Sequence, residues 1–405
     1  MFDMIPLEPV WERICVPRLG VAHLTRLAFQ GADLFPLWTQ MMDRVTDDTP
    51  GSGIGMDLSV IAQLRGDKPT GLAIQNEALQ LHQVFCPDQN PGAPSLRVLA
   101  LAAASDIGAN TPIEFLLEGS DISLAVLYLG RDIPLPRAIP AHDIAIVVAP
   151  ASKDGEHALA AAEELMRGRA TPLLNRPSHI CHLERDQLYL RLKDIAGLRI
   201  PPTLRRTRAE LKQVAGMEFP LIIRPFGSHA GFGLARIEDE AALGVYLEER
   251  CEDGFFVSPF IDYASPDAMF RKYRIALIDG KAYAVHMAIA DEWKVWYLNA
   301  DMALSPSNRL EEARFMQYFD ETFATRHAQA LGAMSAAIGL DYVLVDCAET
   351  RDGELLIFEA DHCAIVHDMD PVNVYPYKPA QMHKIYAAFA DMLKRRAMKA
   401  DCRAA

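Results

Sequence analysis

The chain has 405 residues, half of them hydrophobic, and a formal net charge of −14 at pH 7, enough apolar material for a large core shared among two to four domains. An acidic balance with no Lys/Arg run argues against nucleic acid or an anionic membrane as the main partner, so any bound anion must meet a local basic patch. MFDMIPLEPVWERICVPRLG (1–20) carries acids and prolines where a secretory signal needs an unbroken apolar run, and no stretch approaches the roughly 20 apolar residues of a membrane span, so the expected location is cytoplasmic.

Residues 1–92 read as helical, from the apolar spacing in LTRLAFQGADLFPLWTQMMDRV and SVIAQLRGDKPTGLAIQNEALQLHQVF. The second stretch looks like one tetratricopeptide-type hairpin, too little for a solenoid, with packing or homodimer formation as its expected role. The glycines of GSGIG (51–55) follow no strand and read as a loop rather than a dinucleotide site. After the Pro/Asn-rich CPDQNPGAPS come three short buried-strand runs, LRVLALAA, ISLAVLYLG and HDIAIVVAP, then a helix (GEHALAAAEELMRG) and a strand at TPLLN. This is an α/β layer over 93–177 with mainly parallel strands. It contains neither GxxxxGK[ST] nor a strand-linked GxGxxG, so a nucleotide would bind elsewhere. Over 178–255 the pattern is helix (LERDQLYLRLKDIAG), break (RIPPT), helix (RAELKQVAG), strand (FPLIIRP), loop, strand (LARI) and helix (EDEAALGVYLEER). Over 256–405 come the rest of the strand FFVSPFI, a hairpin about Asp279-Gly280, a second hairpin about Asp352-Gly353 and a last helix, PAQMHKIYAAFADMLKRR. The seven cysteines (15, 86, 181, 251, 347, 363, 402) form no C-x-x-C pair, which argues against a disulfide framework or zinc knuckle and for small buried hydrophobes.

Three stretches carry chemistry. If Asp352-Gly353 forms a two-residue type I′ turn, counting outward pairs Asp346 with Glu359 at a Cβ separation of about 5 Å, and Asp361, two residues on, shares their face. Three crowded acids call for a hard cation such as Mg²⁺, with Mn²⁺ as the alternative; the apolar flanks VLV and LLIF count against a solvated acidic hairpin. Gly227, Gly231 and Gly233 surround Ser228 and His229 just after a strand ending in Arg224-Pro225. Such a loop brings backbone N–H groups near phosphate oxygens, with Arg224 as a potentially bidentate ligand; a plain hairpin loop is the alternative. Arg271, Lys272 and Arg274 cluster in an otherwise apolar strand. The same outward counting puts Lys272 and Arg274 on one face with Val285 and Met287, and Arg271 on the other with Tyr273 and His286. Lys272 and Arg274 are therefore the favoured site residues and His286 a weaker candidate; charges on a solvated or acid-paired face are the alternative.

The order of these elements resembles the ATP-grasp superfamily, in its glutathione-synthetase-like or ribosomal-modification-ligase-like branch, over roughly residues 96–395. The elements are a strand with a terminal basic residue, a Gly/Ser loop, a hinge strand, a basic hairpin, and Asp…Glu-x-acid on a second hairpin. The resemblance implies an α/β and α+β chain: an ATP-grasp fold with a preceding Rossmann-like pre-ATP-grasp domain and an N-terminal helical segment of the type associated with tetratricopeptide-repeat proteins. It implies ATP between two α+β subdomains, its adenine at the hinge around Phe256, Val257, Ser258 and Pro259 and its phosphates under 227–233. Arg224 then stands where a phosphate-binding Lys is usual, Lys272 and Arg274 match the basic strand near the γ-phosphate, and Asp346, Glu359 and Asp361 match the magnesium ligands, with Asp361 in place of the usual Asn. The Lys common in the helix before RIPPT has no obvious counterpart among Arg185, Asp186 and Gln187. The implied activity is an ATP- and Mg²⁺-dependent carboxylate–amine or carboxylate–thiol ligase acting through an acylphosphate on small-molecule substrates. A small-molecule kinase of the same fold and a non-catalytic nucleotide-binding module are the alternatives.

Overall fold

The computed structural model describes residues 14–45, 51–88, 93–136, 138–153, 155–213, 218–228, 231–296 and 299–404. The chain forms two compact units: one contains residues 1–180, 362–371 and 382–405, the other residues 181–361 and 372–381.

The first unit is built on strands β1 (Val16–Arg18), β2 (Val84–Pro87), β3 (Leu96–Ala103), β4 (Ile122–Leu129), β5 (Ile144–Val147) and β6 (Leu173–Leu174), in the order β1-β2-β4-β3-β5-β6. Every pairing is parallel except β2 with β4. All of β4 and β5 is buried, as is β3 apart from Arg97, which is why these strands read as unbroken apolar runs rather than alternating ones. The 1–92 segment is not wholly helical: β1 and β2 lie within it and extend the α/β sheet. They are too short to show a period of their own and exist because a sheet edge is there to pair with.

The helices Ser52–Leu64 and Lys68–Leu81 form the expected hairpin, turned at Gly66 (φ +90°) and capped by Asp67, which accepts from the Thr70 N–H at 3.2 Å. GSGIG is not a loop, because the helix starts at Ser52. Gly53 is where that helix crosses β1: a Cβ there would lie 2.3 Å from the Pro17 carbonyl oxygen. One turn on, the buried Asp57 accepts from the Leu19 N–H at 2.8 Å and the Gly20 N–H at 3.1 Å, tying the end of β1 to the helix.

The second unit holds two sheets. One is antiparallel, β10-β9-β11-β8, from β8 (Leu204–Thr207), β9 (Leu221–Pro225), β10 (Ala235–Ile237) and β11 (Gly254–Pro259). The other is β13-β12-β14-β15-β7, from β7 (Leu198–Arg199), β12 (Phe270–Ile278), β13 (Lys281–Ala290), β14 (Tyr342–Glu349) and β15 (Leu355–Asp361). Three features differ from the sequence expectation. LRRT forms β8, and of RAELKQVAG only Arg208–Leu211 is helical among the described residues; 214–217 lie outside them. Between the hairpins lie the helices Pro306–Gln317, capped by Ser305, and Ala328–Ile338, ended by left-handed Gly339. Among the described residues no helix is long and apolar enough to cross a membrane.

Burial pushes the Asp57 carboxyl up to about 6, against the opposing pull of Arg18 and the two amide donors. The folded first unit therefore holds a proton on Asp57 between its unfolded value of 3.8 and about pH 6, and the protonated form stabilises it most below that window. We expect the unfolding midpoint of the wild type, measured against Asp57→Asn, to fall as pH rises from 4 to 7 and then level off. A difference that is constant across that range would contradict the assignment.

Candidate active site

The candidate side chains picked out by the sequence lie in the second unit, and two β-bulges set the directions of those on its hairpins. In the first hairpin Asp279 and Gly280 both have positive φ (+50° and +84°), the signature of the two-residue turn that Asp-Gly favours. Pairing runs as counted from Ile278↔Lys281 to Ile275↔Ala284, then skips Val285, so that Arg274 faces His286 and Tyr273 faces Met287. This corrects the face reading: Arg274 and Lys272 share a face with His286 and Ala288, not with Val285 and Met287. Arg271 lies on the opposite face, paired with Asp267 at 2.8 Å and Glu311 at 2.5 Å.

The second hairpin pairs Asp346 with Glu359 for a different reason from the one expected. Its Asp-Gly turn is a longer loop, with Thr350 N–H donating to Glu354 and Gly353 N–H to Thr350, each at 2.9 Å. Near the turn the pairing is therefore one residue out (Glu349↔Leu355, Cys347↔Ile357), and the extra residue Phe358 restores the counted register at Asp346↔Glu359. The bulge also lets Phe358 and Glu359, neighbours in sequence, line the same cleft.

With both bulges in place, four adjacent strands give one residue each to a single row, His286, Arg274, Asp346 and Glu359. Arg274 grips the buried Asp346 with Nε at 2.7 Å and Nη2 at 3.0 Å, and Lys272 adds Nζ at 2.7 Å. Burial alone would raise the Asp346 carboxyl, but Arg274 and Lys272 hold it well below the usual carboxylate range. Burial and the Arg274 charge push His286 well below its ordinary value, so the ring is neutral at pH 7. Glu359 pairs through Oε2 with Arg185 and, at 4.0 Å, with Arg224. Its burial is likewise outweighed by cations, Arg185 first, so its carboxyl also lies below the usual range. Asp361 is on the same face of β15, two residues beyond Glu359.

The glycine loop follows β9 directly. Gly227, Gly231 and Gly233 all have positive φ, and a Cβ on Gly233 would lie 2.6 Å from Pro225 Cδ, so the backbone there requires glycine. The Ser228 hydroxyl turns inward: it donates to the Pro225 carbonyl at 2.8 Å and accepts from Arg224 Nε at 3.0 Å, bracing Arg224. His229 lies outside the described residues. Burial and then the neighbouring Arg185 charge push Arg224 down to about 10, so two guanidinium groups crowd one carboxylate.

Of these groups Arg185, Arg224, Lys272 and Glu359 line a cleft of about 170 Å³ between the two sheets of this unit, whereas Arg274, His286, Asp346, Asp361, Ser228 and the loop glycines are not among its lining residues. Phe256, Ser258 and Pro259 of β11 form part of its wall, while the Val257 side chain is in the core with Leu221, Ile223 and Phe255. Of the four expected hinge residues, the cleft is thus lined by all but Val257. Phe260 and Trp293, both in its lining, meet edge to face at 5.8 Å. Two basic residues that sequence patterning did not assign also line it. Arg185 opens a helix whose start is fixed by Arg205, paired with Glu184 and Asp186 and lying over the Phe226 and Phe256 rings. Lys294 donates to the Leu234 carbonyl at 3.1 Å and touches the space above Gly231. Arg185 stands in the helix before RIPPT, where the family resemblance asks for a lysine; Lys294 sits in an unpatterned turn with no such signal.

No family model matches the chain, and no curated protein matches it. Among solved structures the chain is similar to a RimK-domain ATP-grasp protein from Sphaerobacter thermophilus (16% identity, 73% of this chain and 99% of that one, TM-score 0.44). It is similar also to D-alanine–D-alanine ligase from Bacillus anthracis complexed with ATP (13%, 77% and 100%, TM-score 0.46) and to VanG D-Ala:D-Ser ligase from Enterococcus faecalis (13%, 72% and 98%, TM-score 0.45). At that distance the likeness assigns no role to any residue.

Removing the charge of Asp346 leaves Arg274 and Lys272 without their shared counter-ion in a mostly buried setting. Asp346→Asn should cost about 3 kcal/mol of stability, the low end for breaking a buried pair, read as a lower urea midpoint. An unchanged midpoint would mean that these ion pairs do not hold the row together.

Proposed function

We propose that the second unit is an ATP-grasp catalytic body and that the protein is an ATP- and Mg²⁺-dependent ligase, joining a small carboxylic acid to an amine or other nucleophile. The observation that carries this reading is the mixed lining of the cleft. Its lining combines the aromatic rings of Phe256, Phe260 and Trp293 with the cations Arg185, Arg224, Lys272 and Lys294 and the carboxylate of Glu359, and Arg185 lies over the Phe256 ring at 6.0 Å. A flat base suits the rings and a polyphosphate the cations. At about 170 Å³ the cleft is smaller than the ~300–1,000 Å³ of ordinary ligand pockets, so a nucleotide with its base inside must run its phosphates out past Lys272 toward the glycine loop. The crowding of Arg185 against Arg224 is relieved when an anion arrives, and the same crowding draws it in.

Asp346, Glu359 and Asp361 offer carboxylate oxygens on one face, a donor set that suits a hard cation; both oxygens of Asp346 already face Arg274 and Lys272, so a cation there would share that carboxylate with them. A magnesium ion held there would neutralise phosphate charge. The chain's own work is positional and electrostatic: Arg224, braced by Ser228, and Lys272 hold the phosphates in line, while Arg274 keeps Asp346 ionised and oriented. In the reaction, an oxygen of the substrate carboxylate attacks the γ-phosphorus and ADP departs with the bridging oxygen. The nucleophile then attacks the acyl carbon of the acylphosphate, loses a proton and expels phosphate. The choice of ligation over transfer to a hydroxyl rests on the sequence resemblance.

ATP should quench the fluorescence of Trp293, and Trp293→Phe should abolish that change. Screening amino and hydroxy acids with nucleophiles for ADP release, then weighing the products, should yield a condensed product; a product that is only phosphorylated would favour the kinase. Glu359→Ala should lower ATP turnover roughly 100-fold, the usual loss for one charge-stabilising group, and unchanged turnover would sink the reading.

A further inference from the structure

We propose that the first unit carries a binding site of its own, a buried polar cavity between its sheet and the helical hairpin, and that its ligand is a small neutral primary amide of the size of acetamide or urea. Ala102 of β3 stands beside Tyr128 of β4 in the parallel register, so both share one face of the sheet with Val126. Met56 and Val60 of the helix Ser52–Leu64 and Gln75 of the helix Lys68–Leu81 close over that face. Ala102 is too short to fill the space beneath them. A cavity of about 50 Å³ remains, with Arg18 also in its wall.

Two of the lining side chains hold polar atoms that have no hydrogen-bond partner among the described residues. The Arg18 side chain is 1% exposed; its Nη2 donates to Glu114 at 2.8 Å and to the Tyr128 hydroxyl at 3.2 Å, while Nε and Nη1 donate to no described residue. Gln75, also buried, donates through Nε2 to the Ser105 carbonyl at 3.0 Å, and its Oε1 accepts nothing. The Ser105 carbonyl fixes the sense of that amide, because only the NH₂ end can face a carbonyl oxygen. Buried polar groups left unpaired are costly. A ligand that fits must therefore accept from a guanidinium N–H and donate to an amide oxygen.

Charge and size narrow the class. Arg18, the one cation in the described lining, is balanced by Glu114, whose other oxygen accepts the Ala22 N–H at 2.8 Å, and Asp106 of the lining pairs with Lys68 at 2.5 Å. No positive charge is left over for a carboxylate or phosphate, and burying an uncompensated charge is costly, so the ligand is neutral. At the 10–15 Å³ that one water occupies, the cavity holds roughly four waters or a molecule of about four non-hydrogen atoms. A primary amide of that size brings a carbonyl oxygen for Arg18 and an N–H for Gln75. Ser105, Asp106, Ile107 and Asn110 in the lining are partly exposed, which gives it a way in.

Acetamide, acetone and acetate are alike in size and differ in the property at issue: the first accepts and donates, the second only accepts, and the third only accepts and is charged. Each is titrated into the full-length, nitrogen-labelled protein over the millimolar range expected for so small a ligand, while the Arg18 Nε–H and Gln75 side-chain amide resonances are followed by NMR. Acetamide should shift both to saturation, and acetone and acetate should bind at least about tenfold more weakly, the worth of one hydrogen bond. Gln75→Met, checked for folding by its melting temperature, should weaken acetamide by about the same factor at the Arg18 resonance; unchanged affinity in the folded variant overturns the role of Gln75. The comparison of probes is made on the wild type and stands whether or not that variant folds. Equal saturation by acetone overturns the donor requirement, tighter binding of acetate overturns the neutral class, and shifts that stay linear with acetamide show a cavity that takes only water and overturn the site.

Discussion

The second unit depends on one buried carboxylate. Asp346 is on the central strand of a five-stranded sheet, almost without solvent, and meets Arg274 and Lys272 from the neighbouring strand. A buried ion pair of this kind seldom adds stability relative to an apolar pair, so its presence is better explained by what it positions. It holds Arg274 by two hydrogen bonds and Lys272 by an ion pair, at the centre of a row across four strands. Acid protonation of Asp346 would release both cations, but its carboxyl is held so low that the arrangement persists throughout the ordinary pH range.

Around that pair, a protein of net charge −14 concentrates positive charge. Arg185 and Arg224 converge on Glu359 from a helix and from β9, and burial leaves them poorly screened from each other. Mutual repulsion of two guanidinium groups is stored electrostatic energy that an arriving anion can release. The glycine loop serves this arrangement less as a set of direct donors than as a brace: Ser228 spends its hydroxyl on Arg224 and Pro225.

The first unit obeys a different constraint. Its central strands β3 to β5 are buried on both faces, so their identity is plain from apolar runs, whereas its edge at β1 is held by polar and steric contacts. Gly53 lets a helix approach β1, Asp57 ties down the backbone that follows, and Arg18 is anchored by Glu114 and Tyr128. Each is a polar or steric device at a place where hydrophobic pattern is silent.

Local chemistry was legible in the residues. The apolar runs of β3 to β5, the Asp-Gly turns, the glycine loop after β9, and the acids and bases of the two hairpins all follow from patterns of a few neighbouring residues. What the tertiary structure decided is direction. The same Asp-Gly dipeptide makes a two-residue turn at 279–280 and a longer loop at 352–353, because the second must meet a bulge at Phe358 that turns both Phe358 and Glu359 to the cleft. A bulge at Val285 moves His286 into the row with Arg274. Bulges answer to the packing of neighbouring strands and leave no mark in local composition. For the same reason Arg185 and Lys294 join the site, and β1 and β2 the first sheet, without a periodic signal: their partners are distant in sequence, and only the folded chain brings them within reach.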